Sequence, residues 1–273
     1  MKNTPLQRDL IAHCIEFMSD ADIIRPFMKQ IGLHAPKSYS YKRLALSYDS
    51  MPDALSLNDV RALFRNNWKP CDVDRLMGFL TSGLLVGHDW HKAMPSNLHL
   101  SFQQKVRGCC EGGITLEDYL SIGEDIAKHE LFMTVTHDLC ETSIIQAFPS
   151  VIPPIGNKSV TDFIFNEVPY DLKVTTHTPI WKPYAGKMTL EQKKELAIEL
   201  YNKADSKRIR KDAEQCRNSW GLNRMYYVVN DQDQWLNNPK IMIHYLLESL
   251  ADTSNFFEIT IGGFKTNVCL IEQ

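Results

Sequence analysis

Two aspartates in the segment 159–176 are placed so that they could bind a metal ion together, and a lysine lies close to one of them in the sequence. Asp162 precedes a short run of aromatic and β-branched residues, and Asp171 and Lys173 lie two positions apart in a second run that alternates between polar and apolar. Runs of this kind predict two short strands, with residues 166–169 forming the turn between them. The segment is therefore predicted to be a hairpin that carries two carboxylates and one lysine.

The alternation in the second predicted strand assigns its two faces. Side chains two positions apart on a strand share a face, so Asp171 and Lys173 should point one way and Leu172 and Val174 the other. The apolar pair suits a core, which leaves the charged pair facing solvent or a site. In a hairpin, Asp162 can lie beside Asp171, and two adjacent carboxylates repel each other unless a cation lies between them. Mg²⁺ takes hard oxygen ligands and several waters, so the pattern indicates a Mg²⁺ site.

An aspartate followed by Asp-x-Lys on the next strand resembles the PD-(D/E)xK signature of metal-dependent nucleases, which include the type II restriction endonucleases. The resemblance implies that Asp162 and Asp171 bind the metal, together with the carbonyl of Leu172. It implies that Lys173 orients or polarises the attacking water. Glu141, on a helix predicted before the hairpin, takes the place of the family's accessory acidic ligand.

The resemblance also implies a fold and an activity. Helix, paired strands, long helix and strand follow one another in the order of the restriction-endonuclease-like core, so we expect an α+β protein whose mixed sheet is flanked by helices. The implied activity is Mg²⁺-dependent hydrolysis of double-stranded DNA, as in a type II restriction endonuclease acting as a homodimer on a palindromic site. Repair, recombination and RNA nucleases would share the same active site. A helical binding or regulatory protein without catalysis is the alternative of a different class.

Composition sets limits on these alternatives. The 273 residues carry a net charge of −3, which disfavours nonspecific nucleic-acid binding but allows a basic cleft. No apolar run approaches the roughly 20 residues of a membrane span, and the N-terminus lacks the apolar region of a signal peptide. The seven cysteines form no C-x-x-C pairs, which is typical of reduced thiols in a cytoplasmic protein.

Apolar periodicity elsewhere predicts the elements that would hold the hairpin. A mainly helical region over residues 1–113 is expected to precede an α/β core over residues 114–273, with the boundary at the adjacent glycines 112 and 113. The predicted helices cover 5–33, 57–67, 73–85, 115–148 and 241–250, with one further long helix that begins after Thr189 and continues to about residue 220. A buried strand is predicted at 225–229, and a hairpin at 256–271 that turns at Gly262 and Gly263.

Basic residues on two of these helices and in one loop are candidates for phosphate contacts. A helix–turn–helix or an ordinary helical hairpin would fit the pair on the 57–67 helix, and a solvated charged face is the alternative for the rest. Three histidines at 88, 91 and 99 lack the spacing that places two imidazoles on one helical face. The candidate DNA contacts are Arg61, Arg65, Lys187, Lys203, Lys207, Arg210 and Lys211.

Overall fold

The computed structural model describes residues 2–32, 45, 48, 54–74, 77, 115–156, 160–203, 206–230 and 232–273. These residues form an α+β fold in which helices flank a five-stranded mixed sheet. None of the helices in the described ranges combines the length and the apolar character that a membrane span requires. The helices are α1 (Pro5–His13), α2 (Ala21–Gln30), α3 (Leu57–Asn67), α4 (Leu116–Ala147), α5 (Leu190–Asn202), α6 (Ser206–Gln215), α7 (Gln232–Asn237) and α8 (Pro239–Ser249).

The sheet has the strand order β1-β2-β3-β5-β4. Its central strands β2, β3 and β5 run parallel, and the two outer strands pair antiparallel with their neighbours. Every residue of β3 is buried, which confirms the predicted central strand. The predicted C-terminal hairpin is also confirmed, because Gly262 and Gly263 take φ values of 57° and 87° in its turn. The strands are β1 (Phe163–Phe165), β2 (Val168–Thr176), β3 (Arg224–Val229), β4 (Phe256–Ile261) and β5 (Phe264–Glu272).

Each face of the sheet has its own apolar core. Leu172 and Tyr227 belong to a cluster that includes the buried sides of α4 and α8. Tyr226 and Leu270, on the opposite face, share a cluster with the buried side of α5. Successive residues of β3 therefore enter opposite cores, as expected for a strand that is covered on both faces.

The described N-terminal helices pack against the β1 edge of the sheet. Leu10 and Phe64 share a third buried cluster with Ile164 of β1 and with Trp220, which precedes β3. The predicted domain boundary at residues 112–113 lies outside the described residues, as do the three histidines at 88, 91 and 99. The N-terminal helices therefore hold the strand that leads into the hairpin.

The prediction of one helix over 5–33 is wrong. α1 continues through a π-helical turn, Cys14–Met18, and the chain then leaves the helix at Ser19. Asp20 begins α2 as its N-cap, and its carboxylate accepts the N–H of Asp22 at 2.8 Å. A capping carboxylate satisfies donors that a helix start leaves open, which favours a new helix at this position over continuation of the first.

The prediction of one helix from Thr189 to about residue 220 is also wrong. α5 ends at Asn202, α6 begins at Ser206, and a 3₁₀ segment, Arg217–Leu222, follows with two residues at positive φ. α5 packs on the sheet, whereas Trp220 belongs to the N-terminal cluster. A single straight helix could not reach both cores, so the chain bends between them.

Arg65, a predicted phosphate contact, has a structural role in the fold. Its guanidinium donates hydrogen bonds to the carbonyls of Ile145, Phe148 and Val151 at 3.0, 3.2 and 3.0 Å. These carbonyls lie at and just beyond the C-terminus of α4, where carbonyls have no partner within the helix. Arg65 of α3 therefore caps the long helix that also carries Glu141.

Replacing Arg65 with alanine should lower the free energy of unfolding by about 3 kcal/mol, because half-buried carbonyls lose a charged donor. Arg61→Ala is the matched control, one turn earlier on the same helix, where the side chain donates a hydrogen bond to the Asn58 side chain at 2.8 Å. The control should cost less than about 1 kcal/mol. Urea denaturation of both variants measures the difference, and equal losses would contradict the capping role.

His13 connects α1 to the residue that precedes Asp162. The side chain is fully buried, and its Nε2 lies 2.9 Å from the hydroxyl of Thr161. Its ring also meets the Trp220 ring edge-on, with centroids 5.3 Å apart. Burial, helped by the positive charge of Arg217, lowers the pKa of His13 to about 3. The imidazole is therefore neutral in the folded protein at neutral pH.

The buried His13 should make the protein sensitive to acid. The unfolded chain protonates this histidine near its ordinary pKa of 6.5, so between pH 6.5 and 3 the unfolded state binds the extra proton and stability falls as the pH falls. At pH 5 the loss should be about 2 kcal/mol relative to pH 7. Urea unfolding at both pH values should show a shallower pH dependence for His13→Gln than for wild type. His244→Gln, at an exposed residue of α8, should keep the wild-type dependence.

Candidate functional site

The hairpin turns more tightly than predicted. Asn166 and Glu167 alone form the turn, with φ values of 50° and 60°, while Val168 and Pro169 already belong to β2. Two residues at positive φ form the turn type whose twist matches the flanking strands. The short turn fixes the register of the two strands.

This register brings the two aspartates together. Phe163 lies opposite Tyr170, so Asp162, one position earlier, lies across from Asp171. The N–H of Asp162 donates to the Tyr170 carbonyl at 2.9 Å. Its Oδ2 accepts the N–H of Leu172 at 2.6 Å. Because β1 begins only at Phe163, the Asp162 carboxylate takes the place of a backbone partner for the Leu172 N–H and is held at the edge of the sheet.

The charged face of β2 is arranged as the alternation predicts. Leu172 and Val174 are buried, whereas Asp171 and Lys173 are only partly buried on the other face. The Leu172 carbonyl points to the same side of the strand as its N–H, toward Asp162, because the two groups of one strand residue share a direction. The hairpin therefore presents two carboxylates, a lysine and a backbone carbonyl around one edge.

Asp171 is held by two cations. One carboxylate oxygen lies 2.5 Å from Nζ of Lys173 and the other lies 3.2 Å from Nε of Arg224. Arg224 starts β3 directly beside Asp171, and its Nη2 reaches the carboxylate of Asp212 on α6 at 3.1 Å. Arg224 also donates to the carbonyl of Gly221 at 2.7 Å. This ion-pair chain fixes the position of Asp171 and, through it, of Lys173.

A histidine, His137, lies between two acidic residues, Glu141 and Asp162. His137 and Glu141 lie one turn apart on α4, and their Nδ1 and Oε2 atoms are 3.8 Å apart. Nε2 of His137 lies 3.3 Å from Oδ2 of Asp162, and Nδ1 lies 3.6 Å from Oδ1 of Asp138. One ligand atom from each of His137, Glu141 and Asp162 lies within 4.8 Å of the other two. These three residues form a group that could hold a metal ion.

The electrostatics of this group are strongly perturbed. Burial and the nearby charge of Asp162 raise the pKa of Glu141 to about 7. Burial alone would lower the pKa of His137, but hydrogen bonds to Asp138 and Asp162 and the charges of Asp162 and Glu141 outweigh burial and raise the pKa to about 10. Burial would raise the pKa of Asp162, but His137, the Leu172 N–H and Lys173 together lower it. The three groups therefore act on one another, because the charge of His137 lowers the pKa of Asp162 and the charge of Asp162 raises the pKa of His137 and of Glu141.

Four predicted site residues, Glu141, Asp162, Asp171 and Lys173, lie in this region. Glu141 and Asp162 belong to the metal-capable group, whereas the oxygens of Asp171 contact Lys173 and Arg224 instead. Two members of the site, His137 and Arg224, were not predicted. The spacing of His137 and Glu141 on one helix was a usable signal, but nothing local marks Arg224, whose role depends on the register between β2 and β3.

Two of the predicted DNA contacts pair with carboxylates one helical turn away. Lys203 pairs with Glu199 at 3.5 Å, and Arg210 pairs with Glu214 at 2.9 Å. Asp212 of α6 points to Arg224, and residues two apart on a helix point in nearly opposite directions, so Arg210 faces away from the site. Lys187, Lys207 and Lys211 are exposed, and Arg61 is half-buried.

In comparisons with protein-family models, with curated proteins and with solved structures, nothing matches this chain. The function of this protein must therefore be inferred from the chemistry of the site. Glu141 and Asp162 supply carboxylate oxygens and His137 supplies an imidazole nitrogen, which are ligands of divalent cations. Lys173 places an ammonium group beside them, on the charged face of the same hairpin.

Proposed function

We propose that this protein is a Mg²⁺-dependent nuclease that hydrolyses DNA phosphodiester bonds, of the restriction type and with a restriction-endonuclease-like core. The observation that carries the proposal is the meeting of Asp162 with Glu141 from the preceding helix and, across the hairpin, with Asp171 and Lys173. The order α4, β1–β2 hairpin, α5 and α6, then β3 supports it, since it is the element order that the resemblance implies. Double-stranded DNA is the proposed substrate, cut by a homodimer.

The residues fit a divalent cation. Glu141 and Asp162 are two partly buried carboxylates on different elements, and partial burial together with the charge of Asp162 raises the pKa of Glu141. They would hold Mg²⁺ together with the Leu172 carbonyl, which faces Asp162. When bound, the ion would offset negative charge on the phosphate and lower the pKa of water.

Asp171 and Lys173 have complementary tasks in this proposal. The Lys173 ammonium would orient the attacking water and stabilise the charge that develops on the phosphate oxygens. Asp171, to which the resemblance gives a metal contact, holds Lys173 at 2.5 Å, and Arg224 holds Asp171 from the neighbouring strand. We therefore assign Asp171 to positioning Lys173, a role that its two ion pairs support.

The direct test is incubation of the full chain with plasmid or phage DNA in Mg²⁺, with chelator as the control. Discrete fragments that appear only with metal would support a restriction-type endonuclease. Parallel reactions with single-stranded DNA and RNA separate the alternatives, since cleavage of RNA alone would replace DNA with RNA as the substrate. If Mg²⁺ and Mn²⁺ both fail to promote cleavage of any of these nucleic acids, the nuclease proposal is wrong.

Phosphate contacts from Lys207, Arg210 and Lys211 of α6, and from Lys187, Lys203 and Arg61, are part of the proposal. The double variant Lys207→Glu, Lys211→Glu should weaken DNA binding and reduce the slope of log affinity against log salt by about 2, because each lost contact removes about 0.9 of the slope. Fluorescence anisotropy in chelator at several salt concentrations measures this slope. The charge-matched control is Lys240→Glu with Lys265→Glu, both exposed and outside α6. Equal slopes in the two variants would assign α6 to an ordinary solvated face.

A further inference from the structure

We infer that His137 is a direct ligand of the metal at the site of the proposed nuclease, so that this site binds Mn²⁺ in preference to Mg²⁺. The inference deepens the proposed function and rests on the same site. It concerns the donor set of the metal, which the Asp-x-Lys pattern does not assign to a histidine. Its evidence is the placement of the imidazole between two carboxylates from different elements.

The three ligand atoms converge from two parts of the fold. His137 was not among the residues predicted from the sequence. His137 and Glu141 lie one turn apart on α4, and Asp162 arrives from the chain before β1. Their ligand atoms all lie within 4.8 Å of one another. One nitrogen and two oxygens form a mixed donor set. Mg²⁺ takes oxygen ligands almost exclusively, whereas imidazole suits transition metals, and Mn²⁺ accepts both kinds of ligand.

Both ring nitrogens of His137 face carboxylates. Nε2 faces Asp162 at 3.3 Å, and Nδ1 lies 3.6 Å from Asp138 and 3.8 Å from Glu141. A ligating imidazole generally donates its second N–H to a carboxylate, which fixes the ring. Asp138 is placed for that role, and the Leu172 N–H orients Asp162 at 2.6 Å. Two of the three ligands therefore have groups that orient them.

The nearby Asp171 does not compete for this position. Its two oxygens are occupied by Lys173 and Arg224 at 2.5 and 3.2 Å. Within the described residues, His137, Glu141 and Asp162 form the group of three that can hold a metal. The histidine thus completes a ligand set to which the hairpin contributes only one side chain.

The experiment is a metal titration of the full chain without DNA. Isothermal titration calorimetry should give wild type an affinity for Mn²⁺ at least about 10-fold above that for Mg²⁺. His137→Gln should lose about 10- to 100-fold in Mn²⁺ affinity and much less in Mg²⁺ affinity, so that the ratio falls. His244→Gln, at an exposed histidine paired with Glu248, should keep the wild-type ratio.

Pulsed electron paramagnetic resonance of Mn²⁺ bound to wild type tests the ligand itself and needs no variant to fold. Modulation from a directly coordinated imidazole ¹⁴N should be present in wild type and lost in His137→Gln. Absence of nitrogen coupling in wild type, or an unchanged affinity ratio in the variant, overturns the inference. Nitrogen coupling without nucleic-acid cleavage would support the His137 site and refute the nuclease. Cleavage without nitrogen coupling would do the reverse.

Discussion

Replacing Lys173 with alanine is expected to lower the rate of DNA cleavage by about 100- to 1,000-fold, the usual effect of removing one group that stabilises transition-state charge. The lysine acts mainly on the attacking water and the developing charge, so metal binding and DNA binding should change little. Asp171 keeps its ion pair with Arg224 at 3.2 Å, which should preserve the local fold. Single-turnover cleavage at saturating protein measures the rate.

The matched control for Lys173 is Lys265→Ala. Lys265 also pairs with a carboxylate, Glu258, across an antiparallel hairpin, but its side chain is 77% exposed and belongs to β5. This variant should cleave at the wild-type rate. Thermal unfolding of both variants checks that the fold is retained. If Lys173→Ala cleaves DNA at the wild-type rate, Asp171 and Lys173 form an ordinary solvated strand face. The alternative of a binding protein without catalysis would then be favoured.

Replacing Asp162 with asparagine should abolish metal-dependent stabilisation as well as cleavage. At a free Mg²⁺ concentration 100 times the dissociation constant, wild type should gain about 2.7 kcal/mol of stability by mass action. The asparagine keeps an acceptor for the Leu172 N–H, so the metal-free variant should fold. It lacks the charge that the cation requires, so its melting temperature should hardly change with Mg²⁺ or Mn²⁺.

Glu167→Gln provides the comparison for Asp162→Asn. Glu167 lies in the exposed turn of the same hairpin, so this variant removes one carboxylate from the hairpin and leaves the site intact. It should gain the same stability from metal as wild type. Thermal unfolding with and without metal measures both variants. An equal gain in Asp162→Asn would exclude Asp162 as a ligand and, with it, the proposed site.

The sequence by itself determined the elements whose cause is local. The alternation of polar and apolar residues assigned the two faces of β2, and the burial of its side chains agrees. Gly262 and Gly263 marked a turn that needs positive φ. The bounds of α3, Leu57–Asn67, agree with the prediction because a capping box at Ser56 and the helical apolar spacing indicate the same segment. Asp162 beside Asp171 was foreseeable too, since a short hairpin leaves little freedom in register.

Only the tertiary structure decided which groups complete the site. Arg224 reaches Asp171 through the parallel pairing of β2 and β3, which lie more than 50 residues apart in sequence, and no local pattern records that register. His137 meets Asp162 because α4 packs against the sheet beside the hairpin, and Arg65 caps that helix from α3. The helix predicted after Thr189 ends short of residue 220, because the 3₁₀ segment after α6 carries Trp220 into the N-terminal cluster, whereas α5 packs on the sheet. Local sequence specifies periodicity and turns, whereas long-range packing selects the partners of a charged side chain, since burial makes an unpaired charge costly.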